Sequence, residues 1–267
     1  MIPPTSIDGT DITGATIDGT DVQEITVDGD VVFTSAPTIT ITDPVAKSDL
    51  IAWYPFDSAT YGGSNADDVT AILGGTGDDT GYDGTIDGAT YQSSAGVTDI
   101  TAGPNSGAFD FDGSNDNIST NLTNLTTPFT AMFWVSLNDI VTQAILGDWD
   151  STSSDWYINF IDSDFKVTDD IEGGILESSS FSPNTNEFNH VAGVYGNSKN
   201  EIFINGNSIN SITFSSNQRT FSGGNGVDIG SLDDQIQHLD GTVDDVRIYN
   251  RALTSSEISQ IVTNTQP

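Results

Sequence analysis

Between Asp49 and about Asn250 the chain alternates apolar and polar positions in short runs, separated by clusters of Gly, Asn, Asp and Ser. In the longest run, residues 129–137, Phe129, Ala131, Phe133, Val135 and Leu137 alternate with Thr130, Met132, Trp134 and Ser136. A period of two puts each set on one face of a pleated strand, so this strand offers a uniformly apolar face to a core. Comparable runs fall at 108–111, 157–161, 190–195, 201–204, 227–229 and 242–249. In the last of them Val246 and Ile248 share one face, while Asp245, Arg247 and Tyr249 share the other. Many short strands at this spacing predict an all-β fold, a sandwich or a barrel. One helix is predicted, at the C-terminal end. Thr254-Ser255-Ser256-Glu257 is a capping box, preceded by Leu253 and followed by Ile258, Ile261 and Val262 on one face.

The first 34 residues carry a different pattern. Ile7-Asp8-Gly9-Thr10-Asp11 recurs as Ile17-Asp18-Gly19-Thr20-Asp21 and again as Val27-Asp28-Gly29-Asp30, at a ten-residue step. Asp-Gly is a hairpin-turn signal, and β-branched residues flank each copy. The repeat predicts strands near Asp11 to Ile17, Asp21 to Val27 and Val31 to Phe33, a small meander whose single aromatic is Phe33. So little apolar mass cannot hold a fold alone, so residues 1–34 are read as a docking or oligomerisation element. Calcium-binding β-roll repeats also use Asp-Gly turns, but the ten-residue step does not match their nonapeptide period. Residues 35–48 hold Pro37 and Pro44 around a short β-branched run and read as a linker; residues 49–262 then form the main domain and 263–267 a tail.

Charge narrows the function classes. The 267 residues include 33 Asp and 6 Glu against 3 Lys and 3 Arg, for a net charge of −33. Such a surface opposes nucleic-acid binding, which needs cations to neutralise phosphates. There is no cysteine, hence no disulfide or thiol chemistry, and two histidines leave little for a histidine triad or zinc site. No apolar run approaches the roughly 20 residues of a membrane helix, so no membrane insertion is expected. Disorder is opposed by 35% hydrophobic and 9% aromatic content. A folded domain this acidic repels itself in dilute buffer and is relieved by concentrated salt. Scarce lysine favours adaptation to multimolar salt over the alternative, an acidic calcium-loaded surface protein. The opening MIPPTSIDGT has neither the basic nor the apolar region of a secretory signal, so export by that route is not expected.

Seven segments in order carry a family resemblance: DLIAWYPFD (49–57), GYDGTIDGATY (81–91), GAFDFDGSNDNIS (107–119), FTAMFWVSL (129–137), FNHVAGVYGNSKNEIFINGN (188–207), VDIGS (227–231) and LDGTVDDVRIYNRALTSSEI (239–258). Together they resemble the laminin-G-like, concanavalin-A-like jelly-roll family over residues 49–262. That resemblance implies two antiparallel sheets packed face to face. The N-terminal repeat lies outside it and resembles the strand repeats at the front of tailed-virus virion proteins.

The resemblance also implies where chemistry would sit. The family often binds calcium where the glycine-rich loop meets the closing strand; the matching residues are Asp78, Asp79 and Asp83 in the loop, and Asp244 and Asp245 in the closing motif. Carboxylate oxygens suit Ca2+, so Asp79, Asp83, Asp244 and Asp245 are the expected metal residues, against the alternative of acidic turns that bond their own backbone. Asp110, Asp112 and Asp116 lack the glycine and distal glutamate of an EF-hand and read as a hairpin.

For glycans, Trp149 between Asp148 and Asp150 combines a ring for stacking on a sugar with carboxylates for its hydroxyls; a protein interface and a partly buried aromatic are the other readings. Trp156 reads as packing. A retaining glycosidase needs two carboxylates about 5–5.5 Å apart, and the nearest glutamate pair, Glu172 and Glu177, brackets Gly173-Gly174 in a predicted hairpin, so no enzyme activity is expected. His190 reads as a packed, hydrogen-bonded structural residue. The sequons at Asn117, Asn121 and Asn124 permit N-glycosylation if the chain meets the machinery.

A lectin-like domain works outside cells, and a virion protein reaches the outside without an export signal. The expectation is therefore a virion-surface protein of a tailed virus of a halophilic archaeon, assembled in the host cytoplasm as a trimer or pentamer among other virion proteins, and touching host glycans or S-layer. A purely structural capsid decoration and a haloarchaeal cell-surface adhesin are the alternatives.

Overall fold

In the computed structural model, the described residues are 6–7, 10–11, 16–17, 20–21, 24–27, 30–34, 47–56, 65–68, 82–93, 95–97, 107–149, 154–179, 181–215, 217–222, 226–232, 237–265 and 267; before residue 48 the description is of backbone alone. The chain divides into two units, Met1–Ile41 with Thr101–Gly103, and Thr42–Ile100 with Pro104–Pro267.

The first unit contains three hairpins: β1 (Ser6–Ile7) with β2 (Thr10–Asp11), β3 (Thr16–Ile17) with β4 (Thr20–Asp21), and β5 (Glu24–Val27) with β6 (Asp30–Thr34). The closing pairs Ile7↔Thr10, Ile17↔Thr20 and Val27↔Asp30 each bracket one Asp-Gly dipeptide. Each pairing joins neighbours along the chain across an Asp-Gly, as the repeat predicts.

The second unit is a two-sheet antiparallel sandwich, one of the two architectures its alternation allows and the one the family resemblance implies. After a 3-10 turn at Lys47–Asp49 come β7 (Leu50–Tyr54), β8 (Asn65–Ala66), β9 (Gly84–Asp87), β10 (Thr90–Gln92), β11 (Ala108–Asp112), β12 (Asn117–Ser119), β13 (Phe129–Leu137) and β14 (Gln143–Asp148). Then follow β15 (Trp156–Ile161), β16 (Asp164–Asp169), β17 (Gly174–Glu177), β18 (Phe188–Tyr195), β19 (Lys199–Ile204), β20 (Asn207–Thr213), β21 (Asp228–Ile229), β22 (Asp240–Tyr249) and the helix α1 (Ser255–Asn264). One sheet runs β10-β11-β22-β13-β18-β19-β20, the other β17-β16-β15-β14-β21-β12-β9-β8. β7 joins the first sheet on β22, beside Val246–Tyr249, whereas β11 pairs with Asp240–Val243. β13 lines the other side of β22. β7 and β11 therefore share one side of the strand, and the exchange between them falls at Asp244-Asp245.

The core lies between the sheets. Phe129, Ala131, Phe133, Val135 and Leu137 of β13 meet Trp156, Ile158 and Phe160 of β15 and Phe165 and Val167 of β16, all buried. Phe129 stacks on Tyr195 with centroids 4.5 Å apart and meets Trp156 edge-on at 5.2 Å. Trp156 is thus a packing residue.

The other face of β13 is buried as well. Trp134 donates from Nε1 to Thr265 Oγ1 at 2.8 Å and packs with Val97 and Val262, at the end of α1. The capping box at the start of α1 forms as predicted, with Thr254 and Glu257 reciprocally bonded. Arg251 adds two bonds to Glu257 at 2.6 and 2.9 Å and, with the cap, holds the Glu257 carboxyl down to about 2.

His190, on β18, is buried edge-on to Trp134, and neither ring nitrogen finds a hydrogen-bond partner in the structure. It is packed, as expected, but not hydrogen-bonded through its ring. Burial and, secondarily, the Arg247 charge push its pKa down to about 3. The unfolded chain takes up a proton near 6.5 while the folded one refuses it, so stability is full above 6.5 and is lost progressively down to about 3. Asp110, Asp116 and Asp170, raised mainly by burial, act in the opposite sense and in the acidic carboxylate range. Between pH 6.5 and 5 the His190 contribution is therefore expected to dominate, with a loss of about 2 kcal/mol. Chemical denaturation at constant salt should show this slope, and His190→Phe should flatten it. An unchanged slope in the variant would assign the pH dependence elsewhere.

Candidate functional site: the closing-strand carboxylates and the outer face of the second sheet

At the exchange point on β22, Asp245 has a left-handed φ of 50°, and the β13–β22 register shifts between Met132 and Trp134. The kink turns both aspartates to structural use. Asp244 Oδ2 accepts from the Val97 amide at 2.8 Å, and its Oδ1 accepts from the Asp245 amide at 2.7 Å. Asp245 Oδ1 accepts from Trp53 Nε1 at 2.7 Å and from Arg247 Nε at 2.8 Å. The Arg247 guanidinium lies over the Trp53 ring, 4.2 Å from its centroid, and is fully buried. Asp83 is tied to the same region through a relay: its Oδ1 accepts from the Asp68 amide, and Asp68 Oδ1 accepts from the Trp53 amide, both at 2.9 Å.

At Asp245 the buried Arg247 guanidinium supplies a cation within 2.8 Å, which disfavours a second one beside it. Asp83 and Asp244 present the hard oxygen donors calcium takes, but calcium needs six to eight. Among the described residues no group of three or more His, Asp or Glu gathers as a metal site. Asp79 lies outside the described residues, as does Asp78.

The tryptophan segment is also rearranged. Gly147 and Asp148 close strand β14 instead of standing in a loop, and Asp148 pairs with Trp156. Trp156 faces the core, so Asp148 does too, and it is only 1% exposed. A buried carboxylate cannot take the hydroxyls of a sugar arriving from solvent, so Asp148 is removed from the glycan set. Trp149, just past the end of β14, is half-buried, and Asp150 lies outside the described residues.

What the sequence did not single out is the surface beside Trp149. On the outer face of the second sheet the register aligns Ile175, Thr168, Tyr157, Gly147, Asp228, Ser119, Thr85 and Asn65 in one row across the strands. Tyr157 is half-buried. Its phenol is raised above its usual range by burial and then by Asp170. A Cβ on Gly147 would come within 2.4 Å of Tyr157 Cβ, so only glycine allows this close approach. Gly147, Asp228 and Thr168 in this row are themselves buried, so the residues of it that reach solvent are Tyr157 and Ile175 towards one end and Ser119, Thr85 and Asn65 towards the other. The available signal was period-two alternation: Tyr157 lies between Trp156 and Ile158, on the face opposite theirs.

The glutamates considered for hydrolysis stand apart in role. Glu177 holds Lys166 at 3.0 Å on the outer face of β17, and Glu172 lies in the β16–β17 turn. Of the three sequons, Asn117 is buried within β12, whereas Asn121 and Asn124 are exposed.

The concanavalin A-like lectin/glucanases superfamily (Laminin_G_3) matches residues 112–259, more than half of the chain. The chain belongs to this family. Among solved structures, domain 4 of AbnA, a GH43 extracellular arabinanase of Geobacillus stearothermophilus in complex with arabinotriose, is similar over 80% of this chain and 98% of its own, with 19% identity and TM-score 0.57. A Trypanosoma rangeli sialidase in complex with sialic acid is similar over 85% of this chain and 36% of its own, with 14% identity and TM-score 0.58. The ligand binding domain of botulinum neurotoxin serotype D, in complex with N-acetylneuraminic acid, is similar over 81% of this chain and 51% of its own, with 14% identity and TM-score 0.57. At these identities the likeness is one of fold, and the chain spans about a third of the sialidase. No curated protein sequence matches the chain.

Proposed function

We propose that this chain is a lectin-like surface protein of a virion that infects a halophilic archaeon, and that its sandwich contacts host glycans. The observation that carries the glycan part is a pair of half-buried aromatic residues, Trp149 just past the end of β14 and Tyr157 on the outer face of the paired strand β15. The sugar complexes of its structural neighbours support the same use of the fold. The net charge of −33 supports the saline setting, and the Asp-Gly hairpins support an assembly role for residues 1–34, as a trimer or pentamer or against other virion proteins. Calcium enters this proposal through Asp79, Asp83 and Asp244 only, so binding is to be measured both with calcium and with a chelator.

The test is Trp149→Ala. Losing one aromatic contact should cost about 0.5–1.5 kcal/mol beyond its area, read as weaker adsorption to host cell-surface glycans with an unchanged melt. Repetition over many copies enlarges the effect on the particle. A defective particle that adsorbs normally would make the loop a structural interface and favour a capsid decoration. The exposed Asn121 and Asn124 sequons favour a second reading, a cell-surface adhesin; glycopeptides at those positions in native material would establish that the chain meets the glycosylation machinery.

A further inference from the structure

We infer that the glycan taken by this sandwich is neutral and that acidic sugars are rejected; this rests on the glycan reading above. The argument is the fate of the cations. The chain has six basic residues, and the side chains of five are described. Each of the five is committed to a carboxylate. Lys166 lies 3.0 Å from Glu177 and 3.6 Å from Asp162. Lys199 lies 2.8 Å from Glu201. Arg219 is buried 2.9 Å from Asp169 and also donates to the carbonyls of Gly196 and Asn197. Arg247 is buried against Asp245, and Arg251 is shared by Asp49 and Glu257, both at 2.6 Å. Of the histidines, His190 is sealed in the interior and held neutral.

An acidic sugar is normally held by an arginine or lysine fork facing its carboxylate or sulfate. The outer face here supplies the reverse. Lys166, the described cation on that face, is already flanked by Glu177 and Asp162, and the Asp170 charge acts on Tyr157. Rings that stack on a sugar face and oxygens that accept from its hydroxyls suit a neutral glycan; a ligand carboxylate would meet like charge. The discrimination would come from repulsion built into the site rather than from a special contact to the preferred sugar. The fold alone does not impose this, since two of the structural neighbours above hold sialic acid.

The experiment uses the full chain in about 1 M potassium chloride, where the screening length is near 3 Å and the overall negative charge is largely muted. Neutral oligosaccharides, arabinotriose and lactose among them, are compared with acidic counterparts such as sialyllactose and oligogalacturonate by calorimetry or on a glycan array, with calcium and with chelator. The expected result is that binders come from the neutral set, that adding an acidic residue to a bound sugar weakens it by at least about ten-fold, and that Tyr157→Ala and Trp149→Ala reduce neutral binding. An acidic sugar that binds more tightly than its neutral counterpart, in either calcium condition, overturns the inference while leaving the glycan reading intact. No binding by any member of either set overturns both.

Discussion

Raising potassium chloride from about 0.1 to 3 M should lift the melting temperature of this chain steeply. With 39 carboxylate residues against 6 basic ones, most surface charges have neighbours of the same sign. Two such charges 8–10 Å apart repel by about 0.4–0.5 kcal/mol in water, so ten neighbouring pairs sum to about 4–5 kcal/mol. The screening length falls from about 10 Å at 0.1 M to about 3 Å at 1 M, which removes most of that repulsion. At about 2–4 °C per kcal/mol for a domain of this size, the rise is on the order of 10–20 °C. Scanning calorimetry across the salt series checks it. Neutralising exposed acids such as Asp87 should flatten the curve, and a melting temperature indifferent to salt would remove the halophilic setting from the proposal.

The second large effect is expected at Arg247. Its guanidinium is fully buried between Asp245 and the Trp53 ring. Arg247→Met removes the guanidinium and leaves the buried Asp245 carboxylate still accepting from the Trp53 indole. Breaking a buried pair from one side costs about 3–5 kcal/mol, because the remaining charge keeps its desolvation penalty and loses its partner. Denaturation in concentrated salt should show that loss undiminished, since ions do not reach a sealed pair. Asp245→Asn combined with Arg247→Met removes both charges and should recover much of the stability. If the single variant is as stable as wild type, Asp245 is not held by Arg247, and its place among the metal residues reopens.

Both effects bear on how far the chain could be read without its fold. Strand β13 was legible to the residue, because a period of two over nine positions fixes which side chains share a face; that both faces are buried was not. The helix was legible because its start is written locally, Thr254 and Glu257 bonding each other across one turn. Each Asp-Gly was legible as the centre of a pairing, because a two-residue loop brings the residues on either side of it opposite each other.

The sites were less legible, and for one reason. The side-chain period of a strand is two, so moving a strand boundary by one residue exchanges inside for outside. Asp148 read as a loop residue beside Trp149; as the last residue of β14 it faces inward with Trp156. Tyr157 drew no notice as a surface residue until four strands were set side by side and Gly147 fell next to it. Asp244 and Asp245 were singled out as metal residues, but the paired acids alone do not say what their oxygens hold. That was decided by β7, far away in sequence, whose Trp53 closes over Arg247 where β11 gives way on the edge of β22. The sequence by itself determined the class of fold, the strand faces, the helix cap and the acidic surface, because each follows from local periodicity, local bonding or composition. Only the tertiary structure decided which carboxylates are buried, which cations they hold and which aromatic rings reach the outer face, because those depend on neighbours brought together across the chain.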